Sequence, residues 1–125
     1  MQPPAARTAI PPRQAPATAG ARPLALADVQ PFAERLRVLG HPVRLLILDR
    51  LQCGGAMPVH RLVTALDTPA LSQGALSQHL ARMRQAGLLA ARRHGHEVWY
   101  AVTDPYAITI LNCIQTKLRR APNPA

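Results

Sequence analysis

Apolar residues recur along this chain at two periods, and the change from one to the other divides it into elements. Phe32, Leu36 and Leu39 repeat at helical spacing. They predict a first helix with a core-facing side, beginning near Asp28 as N-cap with Pro31 in its first turn. Gly40 ends it, and His41-Pro42 restarts the chain. Val43, Leu46, Ile47 and Leu51 mark a second helix that closes at Gly54-Gly55. Pro58 opens a short third helix through Leu66, and Asp67-Thr68-Pro69 is turn chemistry. Ser72 then caps a fourth helix that runs to Ala86 and stops at Gly87, with Leu76, Leu80 and Met83 as its buried stripe.

After Gly87 the period falls to two. Val98, Tyr100 and Val102 alternate with Trp99, Ala101 and Thr103, and His94-Gly95-His96-Glu97 supplies a turn. Residues 88–102 therefore read as a two-stranded hairpin. Asp104-Pro105 caps and opens a last helix, whose apolar side is Ala107, Ile110, Leu111, Ile114 and Leu118. The fold class is mainly α with a small β-hairpin, in the order α-α-α-α-β-β-α. It is a winged helix-turn-helix built on the third and fourth helices and the hairpin. The outer helices, 28–39 and 105–119, carry apolar faces that a domain this small does not cover alone. An isologous homodimer would bury them.

Three segments follow. Residues 1–23 hold six of the thirteen prolines and three arginines, with no apolar period, and read as a disordered basic tail. Residues 24–120 form the domain, and 121–125 a short disordered tail. No run of eighteen apolar residues is present, so no membrane span is expected, and the proline-broken N-terminus has no signal-peptide core. The expected location is cytoplasmic. Two distant cysteines, Cys53 and Cys113, do not suggest a constitutive disulfide there.

Charge sharpens the picture. Fifteen basic residues, fourteen of them arginine, stand against six acidic ones, a formal net charge of +9. Without the three arginines of residues 1–23, twelve basic residues still face six acidic ones. Arginine's planar fork suits phosphates and guanine edges, so double-stranded DNA is the expected partner. On the fourth helix Gln73, Ser77 and Gln78 lie outside the apolar stripe near the N-terminus, where they can hydrogen-bond to base edges in the major groove. Arg82 and Arg84 lie farther along and suit phosphate. Arg92, Arg93, His94 and His96 crowd the hairpin tip, as a wing resting on phosphate or the minor groove would require. His94 and His96 on one turn make only a weak metal site, so neither a metal site nor a cofactor is assigned.

At this point the chain resembles the ArsR/SmtB family of winged-helix repressors over roughly residues 30–120. Three stretches carry the likeness: Leu36-x-x-Leu39-Gly40-His41-Pro42-x-Arg44-Leu45-x-Ile47-Leu48, Ser72-x-x-Ala75-Leu76-Ser77-Gln78-His79-Leu80, and Leu88 through Tyr100. The resemblance implies a homodimer, a palindromic operator near a promoter, and repression relieved by an inducer. It also implies that His79 lies at the DNA surface. Two features depart from the family pattern: a longer turn at residues 67–70, and Gly74 where a serine is common.

The resemblance implies metals, metalloids or thiol-reactive species as inducers. Pro58 and His60 occupy the positions of the family's third-helix thiolates, and Tyr106 stands where its last-helix zinc site needs a histidine. The recognition segment looks closest to the branch that senses reactive sulfur or oxidants through one cysteine in the second helix and one in the last. The matching positions here are approximately Asp49 and Arg119, with Cys53 a little later in one helix and Cys113 a little earlier in the other. If those helices run antiparallel, the two displacements nearly preserve facing, and Cys53 with Cys113 is the candidate sensor pair. Two buried core cysteines are the alternative. A soft-metal or organic inducer is another, as is a winged-helix module that binds protein. A thiol enzyme would need a base beside a cysteine; His60, the nearest histidine to Cys53, lies across a glycine turn, so no enzymatic activity is expected.

Overall fold

A computed structural model describes residues 22–120. The elements are α1 (Leu26–Leu39), α2 (Pro42–Gly54), β1 (Met57–Pro58), α3 (Val59–Leu66), α4 (Gln73–Gln85), β2 (Leu89–His94), β3 (Glu97–Val102) and α5 (Pro105–Arg120). The three strands form one antiparallel sheet in the order β1-β3-β2. The tails at 1–21 and 121–125 lie outside the described residues. Of the expected basic tail, Arg22 and Pro23 are described, and Arg22 pairs with Asp28 at 2.9 Å on the surface.

The core gathers one side of each helix. Ile47 and Leu48 of α2, Leu62 of α3, Leu76, Leu80 and Met83 of α4, and Leu88 ahead of β2 are fully buried. Ala107 and Leu111 bring α5 against them.

Several boundaries differ from the sequence reading. α1 starts before Asp28, with Ala25 as the N-cap. Asp28 still serves that end, because its carboxylate accepts the Ala25 N–H at 2.9 Å. Pro31 lies inside the helix rather than in its first turn, so α1 continues through it with one backbone donor fewer. Phe32 and Leu36, expected in the core, are exposed, and only Leu39 of α1 is buried. Helical spacing identifies the apolar side but not what covers it; here Tyr106 packs edge-on against Phe32 at 4.7 Å, and Phe32 and Leu36 still stay 37% and 52% exposed. Pro58 caps α3 rather than opening it. It also belongs to β1, which the sequence did not suggest: a two-residue strand pairing Met57 with Tyr100 and Pro58 with Trp99.

Other signals match. His41 caps α2, its Nδ1 accepting from the Val43 N–H at 3.1 Å. Asp104 caps α5 through Oδ1 and the Tyr106 N–H at 3.0 Å. The hairpin turns on Gly95 and His96, between the paired residues His94 and Glu97. Gly95 takes φ +67° at the first loop position, the II′ geometry that follows strand twist and that a side chain there would strain.

Candidate nucleic-acid interface

The helix-turn-helix is α3, an ordered turn, and α4. Asp67 ends α3 in the left-handed region, its N–H reaching Val63 O at 3.3 Å. The longer turn then closes through Leu71 N–H to Thr68 O at 3.0 Å. Ser72 starts α4 by accepting the Ala75 N–H on Oγ at 3.0 Å. At the far end Leu88 N–H returns to Met83 O at 3.0 Å across Gly87, which takes φ +80°. This wraps the carbonyls that a helix end leaves free. Both ends of α4 are thus fixed by local chemistry.

Its rotation is fixed by packing. Leu76, Leu80 and Met83 are completely buried, so the other side must face outward. Gln73, Ser77, Gln78, Arg82 and Arg84 are all exposed there. His79 differs, being half-buried. Its Nδ1 accepts from Arg44 Nε at 3.1 Å, and its ring lies 4.6 Å from that of His41. Burial holds its pKa below the ordinary histidine value, and His41, Arg44 and Arg82 push the same way. Arg44 and His41 stand far from His79 in sequence, and no local signal joins them.

The hairpin presents Arg92, Arg93, His94 and His96, all exposed. Arg92 lies opposite Trp99 and His94 opposite Glu97, so these four share one face of the sheet. Arg93 takes the other face. Trp99 is held in place by a network the sequence did not reveal. Its Nε1 donates to Glu97 Oε2 at 3.1 Å, while Glu97 Oε1 meets His60 Nε2 of α3 at 2.8 Å. The His60 hydrogen bond keeps the Glu97 carboxyl below its usual range. The Arg61 guanidinium covers the Trp99 ring at 5.8 Å. The wing is therefore clasped to α3.

Cys53 and Cys113 are free and exposed. Cys53 sits one helical turn beyond Asp49 and points its Sγ toward that carboxylate at 3.8 Å. Asp49 also accepts from Gln115 Nε2 of α5 at 2.8 Å. Gln115 is thus the α5 residue that faces α2 at this level. Cys113, two residues earlier, lies about 200° around the helix from it. Cys113 borders a shallow hollow with Thr109, Asn112, Thr116 and Lys117. Among the described residues no group of three or more His, Cys, Asp or Glu side chains could hold a metal ion. No described helix is long and apolar enough to cross a membrane.

An outward polar helix side beside an arginine hairpin, on a core of this topology, defines a winged-helix DNA-binding protein. The family model for bacterial regulatory proteins of the arsR family matches residues 41–91. The transcriptional repressor PagR of Bacillus anthracis is 36% identical over 86 residues, which cover 66% of this chain and 83% of PagR. Its crystal structure superposes with a TM-score of 0.63 at 30% identity, covering 70% of this chain and 97% of PagR. The HTH-type transcriptional repressor SmtB of Mycobacterium tuberculosis is 38% identical over 78 residues, 62% of this chain and 55% of SmtB. The antimony-specific repressor AntR shares the fold, with a TM-score of 0.75 at 23% identity over 86% of this chain and 94% of AntR. The chain belongs to the arsR family. It is a DNA-binding transcriptional repressor and not an enzyme.

Proposed function

We propose that the protein acts as a homodimer on a palindromic operator and is released by a thiol-reactive inducer, reactive sulfur or an oxidant. In this reading Gln73, Ser77, Gln78 and His79 address base edges in the major groove, Arg82 and Arg84 hold phosphate, and Arg92, Arg93, His94 and His96 rest the wing on the flanking backbone. The observation that carries it is the exposed polar side of α4, set outward by three fully buried residues and flanked by the basic hairpin.

Dimerisation is supported by the apolar residues that α1 and α5 leave uncovered, among them Leu36, Tyr106 and Leu118 at 52, 53 and 70% exposure. Single exposed apolar residues are ordinary, but a continuous set on two outer helices is the mark of an interface. Induction through Cys53 and Cys113 is supported by their accessibility: neither thiol is taken up by the core, and their helices are joined by the Asp49–Gln115 hydrogen bond. Modifying Cys53 would disturb the Asp49 carboxylate that joins α2 to α5, whereas Cys113, on the side of α5 away from α2, would act through the proposed dimer face. As a DNA-binding protein of this kind, it would work in the cytoplasm.

The test is binding to the duplex upstream of the protein's own coding sequence, by fluorescence anisotropy, with reduced and tetrasulfide-treated protein compared. Tight binding by the reduced dimer, lost on treatment with a matching mass shift at Cys53 or Cys113, is the expected result. Equal affinity before and after treatment overturns the thiol reading. Unchanged affinity in Gln78→Ala and Arg93→Ala overturns the DNA-contact reading.

A further inference from the structure

We propose that Arg44 is a positioning residue for the recognition helix, one that fixes His79 as a neutral side chain able only to donate to DNA. The inference rests on the reading of α4 as the DNA-contacting helix. Three elements meet at this point. Arg44 lies near the start of α2, and its Nη1 donates to Val38 O at the end of α1 at 3.0 Å. Its Nε donates to His79 Nδ1 in the middle of α4 at 3.1 Å. The same planar guanidinium therefore joins the α1 terminus to the reading helix at a set angle, which a lysine ammonium cannot do from one rigid group.

The tautomer follows from the donor. Arg44 has only N–H groups to offer, so His79 Nδ1 carries no proton. The neutral imidazole then keeps its single proton on Nε2. Burial and the surrounding cations hold the ring in that neutral form. His41 closes the far side, its ring tilted 59° against His79, and its own Nδ1 is engaged by the Val43 N–H. A histidine locked this way meets acceptors: guanine O6 and N7, adenine N7, thymine O4 or a phosphate oxygen. It rejects the amino groups of cytosine and adenine. Arg44 thereby sets a preference on DNA without touching it.

The experiment uses the full chain, its operator duplex and an unrelated duplex of equal length, each titrated across salt. Arg44→Lys is expected to lower operator affinity about tenfold, the scale of one lost base contact, with non-operator affinity and salt slope unchanged. His79→Gln keeps a donor near the Nε2 position but carries no acceptor at the Nδ1 position that Arg44 engages. In that background Arg44→Lys is expected to cost nothing further. His79→Asn keeps an acceptor near Nδ1, so Arg44→Lys is expected to remain costly there.

A salt slope reduced by about one in Arg44→Gln, which removes the charge, would show Arg44 itself on a phosphate and overturn the proposal. An undiminished loss in the His79→Gln background would overturn it as well, by tracing the effect to the α1 contact alone. Failure of the α4 reading looks different: Gln78→Ala would then bind operator as the parent does, whatever Arg44 does.

Discussion

α4 and α5 are both amphipathic helices of similar length, and each buries its apolar side differently. In α4 the stripe of Leu76, Leu80 and Met83 is completely buried within one protomer, and what remains outside is polar. In α5 Ala107 and Leu111 reach the core, but Tyr106, Ile114 and Leu118 remain 53, 38 and 70% exposed. One helix has spent its hydrophobic surface and offers hydrogen-bonding groups; the other still has hydrophobic surface to bury. The same pattern of residues thus points one element toward nucleic acid and the other toward protein, and the deciding quantity is how much of each stripe the protomer itself covers.

The comparison can be broken most severely from the covered side. Leu80→Ala is expected to lower unfolding free energy by about 2–5 kcal/mol, because the cavity opens in a packed core; urea unfolding measures it. Leu118→Asp is expected to leave each protomer folded but dissociate the proposed dimer. Operator affinity would drop about a hundredfold or more as two linked half-sites become independent, a loss read by sedimentation and anisotropy together. Gln78→Ala should cost about 1–3 kcal/mol in operator binding with an unchanged melting temperature. That separates the reading side of α4 from its packing side.

Arg93→Ala on the wing should weaken all DNA alike and reduce the salt slope by about one. The smallest effect concerns protons. His79 has a depressed pKa in the folded state, so the unfolded chain binds its proton first. Stability from this residue is therefore fully present above histidine's ordinary value of 6.5 and declines as the pH falls below it. Melting temperatures measured from pH 7.5 to 5.5 should show a decline that His79→Gln lessens.

Much of this arrangement was legible in the chain because its signals are local. Ser72 and Ala75, Asp104 and Tyr106, and the Gly87 stop each act within a few residues, and α4, α5 and their ends were read correctly from them. The polar side of α4 was legible for the same reason, since three apolar positions fix its rotation. What escaped was set by distance. β1 is too short for periodicity to register, and exists because Met57 and Pro58 find β3 more than forty residues later. The Arg44–His79 and His60–Glu97 contacts join residues 35 and 37 positions apart. Phe32 and Leu36 show a further limit: their spacing reveals an apolar side, while what covers that side depends on how the other elements pack.

Pro58 has two neighbours at once, Trp99 across the sheet and the first turn of α3 along the chain. With His60 also bonded to Glu97, hairpin and helix-turn-helix are joined at two neighbouring points. In the proposed dimer, departure from an operator would then be a rocking of one half against its twin, altering the spacing of the two reading helices rather than lifting a flap.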